Sequence, residues 1–156
     1  PLLCAYLQAF RERTGRDLHI VFTGSGNIDA APELLPAVHD VGFVSEQEKR
    51  EAMAGAVAFI HPSINESLGI VLLEAWLART PCMVHARSAV LSDQCRRANG
   101  GLWFKNYPQF EEALLLLLDD EPTRRALAES GRRFVRQEYA WDAVERRMTE
   151  ALDEGT

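Results

Sequence analysis

The chain has 156 residues, a hydrophobic fraction of 47%, a formal charge of −6 and a pI near 5.2. That length suits one domain with a real core. The acidic balance argues against a general nucleic-acid or anionic-membrane surface, yet leaves room for a local phosphate site. No apolar run is long enough to cross a bilayer and no leader pattern is present, so the expectation is a cytoplasmic protein without a membrane segment. Cys4, Cys82 and Cys95 lie far apart with no metal-ligand spacing. They read as reduced core thiols, and no metal or cofactor is expected.

Along the chain, Leu2 to Thr14 predicts a helix with Leu3, Leu7 and Phe10 on one face, ended by Gly15. Residues 18–22 predict a buried strand, stopped at Thr23-Gly24-Ser25-Gly26, which reads as a cleft-edge turn, with ligand contact as the alternative, and not as a Walker loop. Two prolines make a long helix over 30–38 unfavourable. Residues 40–44 predict a short strand. Ser45-Glu46-Gln47-Glu48 has capping-box spacing and opens a helix to about residue 54. A strand over 56–61, a helix over 68–79 and a strand over 81–85 follow. A helix over 88–99, closed by Gly100-Gly101, leads to a last strand at 102–104. Three closing helices are predicted over 108–118, 122–138 and 141–152, with Pro122 in the first turn of its helix.

This alternation predicts an α/β fold: one domain over 1–156 with a Rossmann-like, doubly wound parallel sheet covered on both faces. Ligands then bind beyond the C-terminal ends of the strands, which selects the loops 23–26, 43–46, 61–68 and 85–88. His61 and His85 end two of those strands and are expected to line the cleft. Trp76, Trp103 and Trp141 read as core. The arginines of the last two helices alternate with acids and read as a solvated face.

The richest segment is His61 to Trp76. Glu66 stands at a strand-to-helix turn, and Glu74 lies two turns into an apolar helix. A carboxylate there is costly unless solvated or paired, so a ligand is expected to explain Glu74. The helix start offers unpaired N–H groups and a positive dipole end suited to phosphate, and Gly69 permits close backbone approach. Glu66 suits the hydroxyls of a sugar and Glu74 a ribose diol. Two structural readings stay open: Glu66 as a carboxylate stabilising the helix dipole, and Glu74 as a solvated helix residue.

Pro62-Ser63-x-x-Glu66-Ser67-Leu68-Gly69 followed by Glu74-Ala75 resembles the E-x7-E signature of the group 1 (family 4) retaining glycosyltransferases, which have the GT-B fold. Val41-Gly42-Phe43-Val44-Ser45, Thr80-Pro81-Cys82-Met83-Val84 and Pro122 with Tyr139-Ala140-Trp141 resemble further motifs of that family, in order, over residues 2–152. The resemblance implies the C-terminal, donor-binding half of a hexosyltransferase-like enzyme that moves a sugar from a nucleotide-diphosphate sugar to an acceptor. Glu66 would be the catalytic carboxylate, contacting the donor sugar near the reacting carbon. Ser67, Leu68, Gly69, Ile70 and Val71 would face sugar and diphosphate, Glu74 would hold the ribose, and Phe43 and Val44 would lie near the base. The Ser88 hydroxyl is a further candidate contact. The alternative is a nucleotide-binding or interaction module of the same fold without transfer chemistry.

The resemblance also implies that the family's first donor-domain strand, the basic loop after it and the N-terminal acceptor domain lie outside this sequence, leaving the fragment inactive alone. In the strand order 3-2-1-4-5-6 that first strand is central. A five-stranded sheet is therefore expected, with its gap closed, filled by a foreign segment or covered by dimerisation.

Overall fold

A computed structural model describes residues 1–153. α1 (Leu2–Thr14) buries Leu3, Cys4, Leu7 and Phe10 on one stripe and ends at Gly15, whose φ of 68° is the left-handed conformation that glycine adopts without strain. β1 (Ile20–Phe22) follows, then a 3-10 helix (Pro32–Ala37) that tolerates Pro36, and β2 (Val38–Asp40). The strand expected over 40–44 therefore lies earlier in the chain. Asp40 ends it: its Oδ1 accepts from the Gly42 amide at 3.1 Å, and Gly42 turns the chain at φ 63°. α2 (Glu46–Gly55) starts with the predicted capping box between Ser45 and Glu48.

β3 (Phe59–His61), α3 (Ile70–Leu77), β4 (Cys82–His85), α4 (Ala89–Ala98) and β5 (Gly101–Phe104) complete the alternation. α5 (Tyr107–Asp119), α6 (Glu121–Glu138) and α7 (Trp141–Asp153) are the closing helices. β4 is buried throughout, and its pleat divides the core. Cys82 and Val84 join Leu72, Trp76, Leu91 and Cys95 beneath α3 and α4. Met83 turns the other way, to Phe10, Phe104, Phe110 and Leu114 beneath α1 and α5. Helices thus cover both faces of a parallel sheet, the doubly wound Rossmann-like arrangement.

Among the described residues five strands form, but not one ladder: β1 pairs only with β2, and β3-β4-β5 form a second parallel set. Between them lies a cavity of about 410 Å³ walled by β1, β3 and apolar side chains of α1, α2 and α5, including Leu3, Leu7, Met53, Phe110 and Leu114. The order β2-β1-gap-β3-β4-β5 is the doubly wound order with its central position open. The chain does not close that gap by pairing β1 with β3.

Trp76 is buried as expected, its indole N–H donating to the Gly100 carbonyl at 2.7 Å. Trp103 and Trp141 are not core. Trp103 sits on the end strand β5 with the Arg96 guanidinium 5.9 Å from its ring centroid, and Trp141 opens α7, which buries only Ala143. The three cysteines are free and buried, and burial pushes the Cys95 thiol up to about 12 and raises Cys82 likewise. Of the arginines of α6 and α7, Arg125, Arg132 and Arg147 pair with Glu121, Glu129 and Glu138, while Arg124 donates to the Leu117 carbonyl and Arg133 to the Ser130 hydroxyl. No described helix is long and apolar enough to cross a membrane.

Candidate functional site at the turn from β3 into α3

β3 ends at His61, and the chain runs through an irregular loop to Gly69, which caps α3 at φ 65° and ψ 48°. Only glycine fits well here: a Cβ would meet Leu91 Cδ2 at 2.4 Å in addition to the backbone strain. Gln94 of α4 pins the same turn, its Nε2 donating to the Leu68 carbonyl at 2.5 Å. No side chain caps α3. The first bond of the helix runs from Leu72 N–H to Gly69 O at 2.9 Å, and among the described residues the backbone N–H groups of Ser67, Leu68, Gly69, Ile70 and Val71 have no partner. Five consecutive free donors at the positive end of a helix form a ready binding site for the acceptor oxygens of an anionic or hydroxyl-rich group.

The two glutamates flank this array, each with its own basic neighbour. Glu66 Oε1 stands 3.1 Å from His61 Nε2, with both side chains mostly buried. Glu66 also edges an open hollow of about 640 Å³, shared with Asn65, Ser67 and the exposed Arg87. Glu74 Oε1 lies 3.0 Å from Lys49 Nζ of α2. The carboxylate in the apolar helix is thus met by a cation of the protein itself, where the sequence suggested a ligand. Glu46 and Glu74 together hold the Lys49 ammonium above the ordinary lysine range.

Phe43 is 85% exposed and Val44 half-buried in the loop between β2 and the α2 cap. An exposed aromatic beyond a strand end offers a flat stacking surface. Other candidates are accounted for by the fold. The Ser88 hydroxyl is buried and caps α4 by accepting from Leu91 N–H at 3.4 Å. His85 ends β4 as predicted but is buried, its Nδ1 accepting from Arg87 N–H at 3.2 Å, so it does not present itself to the cleft. The 23–26 turn is tied to Gly42, whose carbonyl accepts from Gly24 N–H at 2.7 Å, and Thr23 borders the gap in the sheet. Among the described residues, no group of three or more His, Cys, Asp or Glu side chains is placed to hold a metal ion.

Sequence reasoning missed Lys49, Arg87, Gln94 and the pairing of His61 with Glu66. The signal for Lys49 was a lone lysine in an acidic first turn, which by itself predicts only surface pairing.

The apolar cavity is not at the glutamates but within the sheet. Its walls are strand edges and core side chains, so it reports on architecture, whereas the polar groups converge at the start of α3.

The chain spans little more than a third of the length of the curated relatives it matches. It is 28% identical over 136 residues to an uncharacterized glycosyltransferase of Methanocaldococcus jannaschii, covering 80% of this chain and 34% of that protein. It is 27% identical over 149 residues to a GDP-mannose-dependent monoacylated alpha-(1-6)-phosphatidylinositol monomannoside mannosyltransferase of Corynebacterium glutamicum, covering 87% and 39%. The sucrose-phosphate synthase structure from Thermosynechococcus elongatus superposes with a TM-score of 0.73 at 20% identity, over 96% of this chain and 41% of that one, a likeness of fold. The family model for glycosyl transferases group 1 matches residues 4–134. With the free amides and paired glutamates of the β3–α3 turn inside that span, the chain belongs to the group 1 glycosyl transferases.

Proposed function

We propose that this chain binds the nucleotide-diphosphate-sugar donor of a retaining glycosyltransferase. The observation that carries the reading is the run of five N–H groups from Ser67 to Val71, unpartnered among the described residues and flanked by Glu66 and Glu74. The diphosphate and sugar lie against those amides, Glu66 contacts sugar hydroxyls near the reacting carbon, Glu74 holds the ribose diol, and Phe43 and Val44 border the base. The amides and helix dipole stabilise the departing nucleotide diphosphate electrostatically. A diphosphate would be repelled by two bare carboxylates, and the neighbouring Lys49 ammonium relieves part of that repulsion.

The test is an NMR titration with UDP, GDP and ADP. One of them is expected to shift amides across residues 66–74, with the response weakened in Glu74→Ala. Shifts confined to other parts of the chain, or a response indifferent to Glu74, would overturn the reading. A nucleotide-binding module without transfer chemistry differs at Glu66: there, Glu66→Gln would leave the affinity for a nucleotide sugar relative to its nucleotide unchanged.

The gap between β1 and β3 supports the second part of this reading: the chain works within a larger polypeptide or assembly that fills the gap and supplies the acceptor site. The two faces of the gap are lined by apolar residues of α1 and α5 on one side and of α2 on the other. The segment that fits is one extended strand, apolar on both faces. A second copy covering the same edges is the other arrangement that would satisfy them.

A further inference from the structure

Among the described residues, Lys49 is the one basic side chain that reaches the deeper glutamate. Its ammonium lies between two acids from different helices: Glu46 Oε2 at 2.9 Å within α2 and Glu74 Oε1 at 3.0 Å across to α3. The two contacts are unlike. Glu46 is 74% exposed, so its pairing is screened by water. Glu74 is 29% exposed and Lys49 22%, and Lys49 lines the sheet gap together with Ala52 and Met53. The cross-helix pair is therefore the better shielded and the more fixed of the two.

The consequence falls on the carboxylate. Glu74 commits Oε1 to Lys49, while among the described residues Oε2 accepts no hydrogen bond. A carboxylate anchored through one oxygen cannot turn freely, so the other is offered in one direction. An acceptor held in place before binding loses less conformational freedom when a ligand arrives than one that must first be ordered. The ammonium also cancels the charge that Glu74 would otherwise present to a neighbouring diphosphate. Building on the donor-site reading, we propose that Lys49 is a positioning residue of the nucleotide site, holding Glu74 so that its free oxygen accepts from the ribose hydroxyls of the donor.

A helix-to-helix ion pair with no part in binding would affect melting and nothing else. A positioning residue affects the preference for ribose over deoxyribose, which is the readout. Calorimetric titrations with UDP, GDP and ADP identify the base that binds, and the matching 2′-deoxy nucleotide then measures the hydroxyl's share. One charge-assisted hydrogen bond corresponds to about a tenfold preference for the ribo form in the unchanged chain. Lys49→Met is expected to lower that preference to about threefold or less; the uncovered Glu74 charge weakens ribo and deoxy forms alike, so the ratio between them isolates the hydroxyl contact. Lys49→Arg should restore most of it. In a Glu74→Ala background, Lys49→Met should have no further effect. Glu46→Gln, which leaves Lys49 wholly to Glu74, should keep the preference and serves where Lys49→Met folds poorly. A ribo preference lost in Glu74→Ala but intact in Lys49→Met, or lost in Glu46→Gln, overturns the role of Lys49 and leaves the donor site standing. A preference intact in Glu74→Ala, or no binding of any nucleotide by the folded chain, overturns the donor-site reading and this role with it.

Discussion

His61 Nε2 stands 3.1 Å from Glu66 Oε1, so the residue that ends β3 braces the carboxylate that opens the turn into α3. The two are joined by a loop with little regular structure, and this contact limits where Glu66 can point. If Glu66 reads the donor sugar, His61 shapes that reading. Replacing His61 by Ala is expected to reduce the added affinity of a nucleotide sugar over its nucleotide by about tenfold, the worth of one charged contact. The nucleotide's own affinity should hardly move. Titrating both ligands into His61→Ala and Glu66→Gln checks this, and equal losses for both ligands would exclude the role.

Gly131 decides how closely α6 approaches Trp76. A Cβ built there would lie 2.3 Å from Trp76 Cδ1, and one built on Gly100 would lie 2.7 Å from Trp76 Nε1. In an exposed helix Gly→Ala usually stabilises by about 1 kcal/mol. Here the ring is fully buried and its N–H is fixed on the Gly100 carbonyl, so overpacking wins. Gly131→Ala is expected to destabilise by about 1–3 kcal/mol, read as a lower urea midpoint at unchanged slope. A stabilised variant would show that α6 can retreat without cost.

The open sheet gap makes a statement about local stability. Among the described residues, β1 and β3 each have a ladder partner on one side only. Hydrogen exchange is expected to be fast in Ile20–Phe22 and Phe59–His61 and slow in Cys82–His85, which has strands on both sides. Protection that rises in β1 and β3 with protein concentration would identify a second copy in the gap. Protection gained only when a longer polypeptide or an added apolar strand peptide is present would identify a single strand.

Acid should loosen the attachment of α1 to α5. The Arg16 guanidinium, bonded to Asp119, holds that carboxyl below its ordinary value of 3.8. Glu111, bonded by Tyr107 and Arg13, lies below its ordinary 4.5. A carboxyl with a depressed pKa contributes stability that is fully present above its unfolded value and is lost as pH falls through the folded one. Melting temperature should therefore be flat from pH 7 to about 5 and fall below pH about 4. Asp119→Asn should melt below the unchanged chain at pH 7, with the difference closing in strong acid. A difference that persists unchanged at pH 2 would assign the effect to packing.

Much of this was legible in the sequence because it is written in near neighbours. The stripe of α1, the capping box of α2, Gly69 before α3 and the glutamates at 66 and 74 all depend on residues within a turn or two of one another. The placement of β2 was less legible, since a Val-Gly-Phe-Val run suits a strand and only the Asp40–Gly42 turn cuts it short. Trp103 and Trp141 misled for a related reason. Their residue type favours burial, but exposure is set by whether another element covers the end strand or the last helix.

By itself, the sequence determined the order of elements, the doubly wound class and the pair of acids at a helix start, because periodicity and caps act locally. Tertiary structure alone decided which side chain meets each acid and where the sheet stays open. Lys49 and Glu74 are 25 positions apart, and no periodicity links them. They meet because α2 and α3 pack on each other, and the gap persists because hydrogen-bonded edges need a partner strand that local sequence cannot supply.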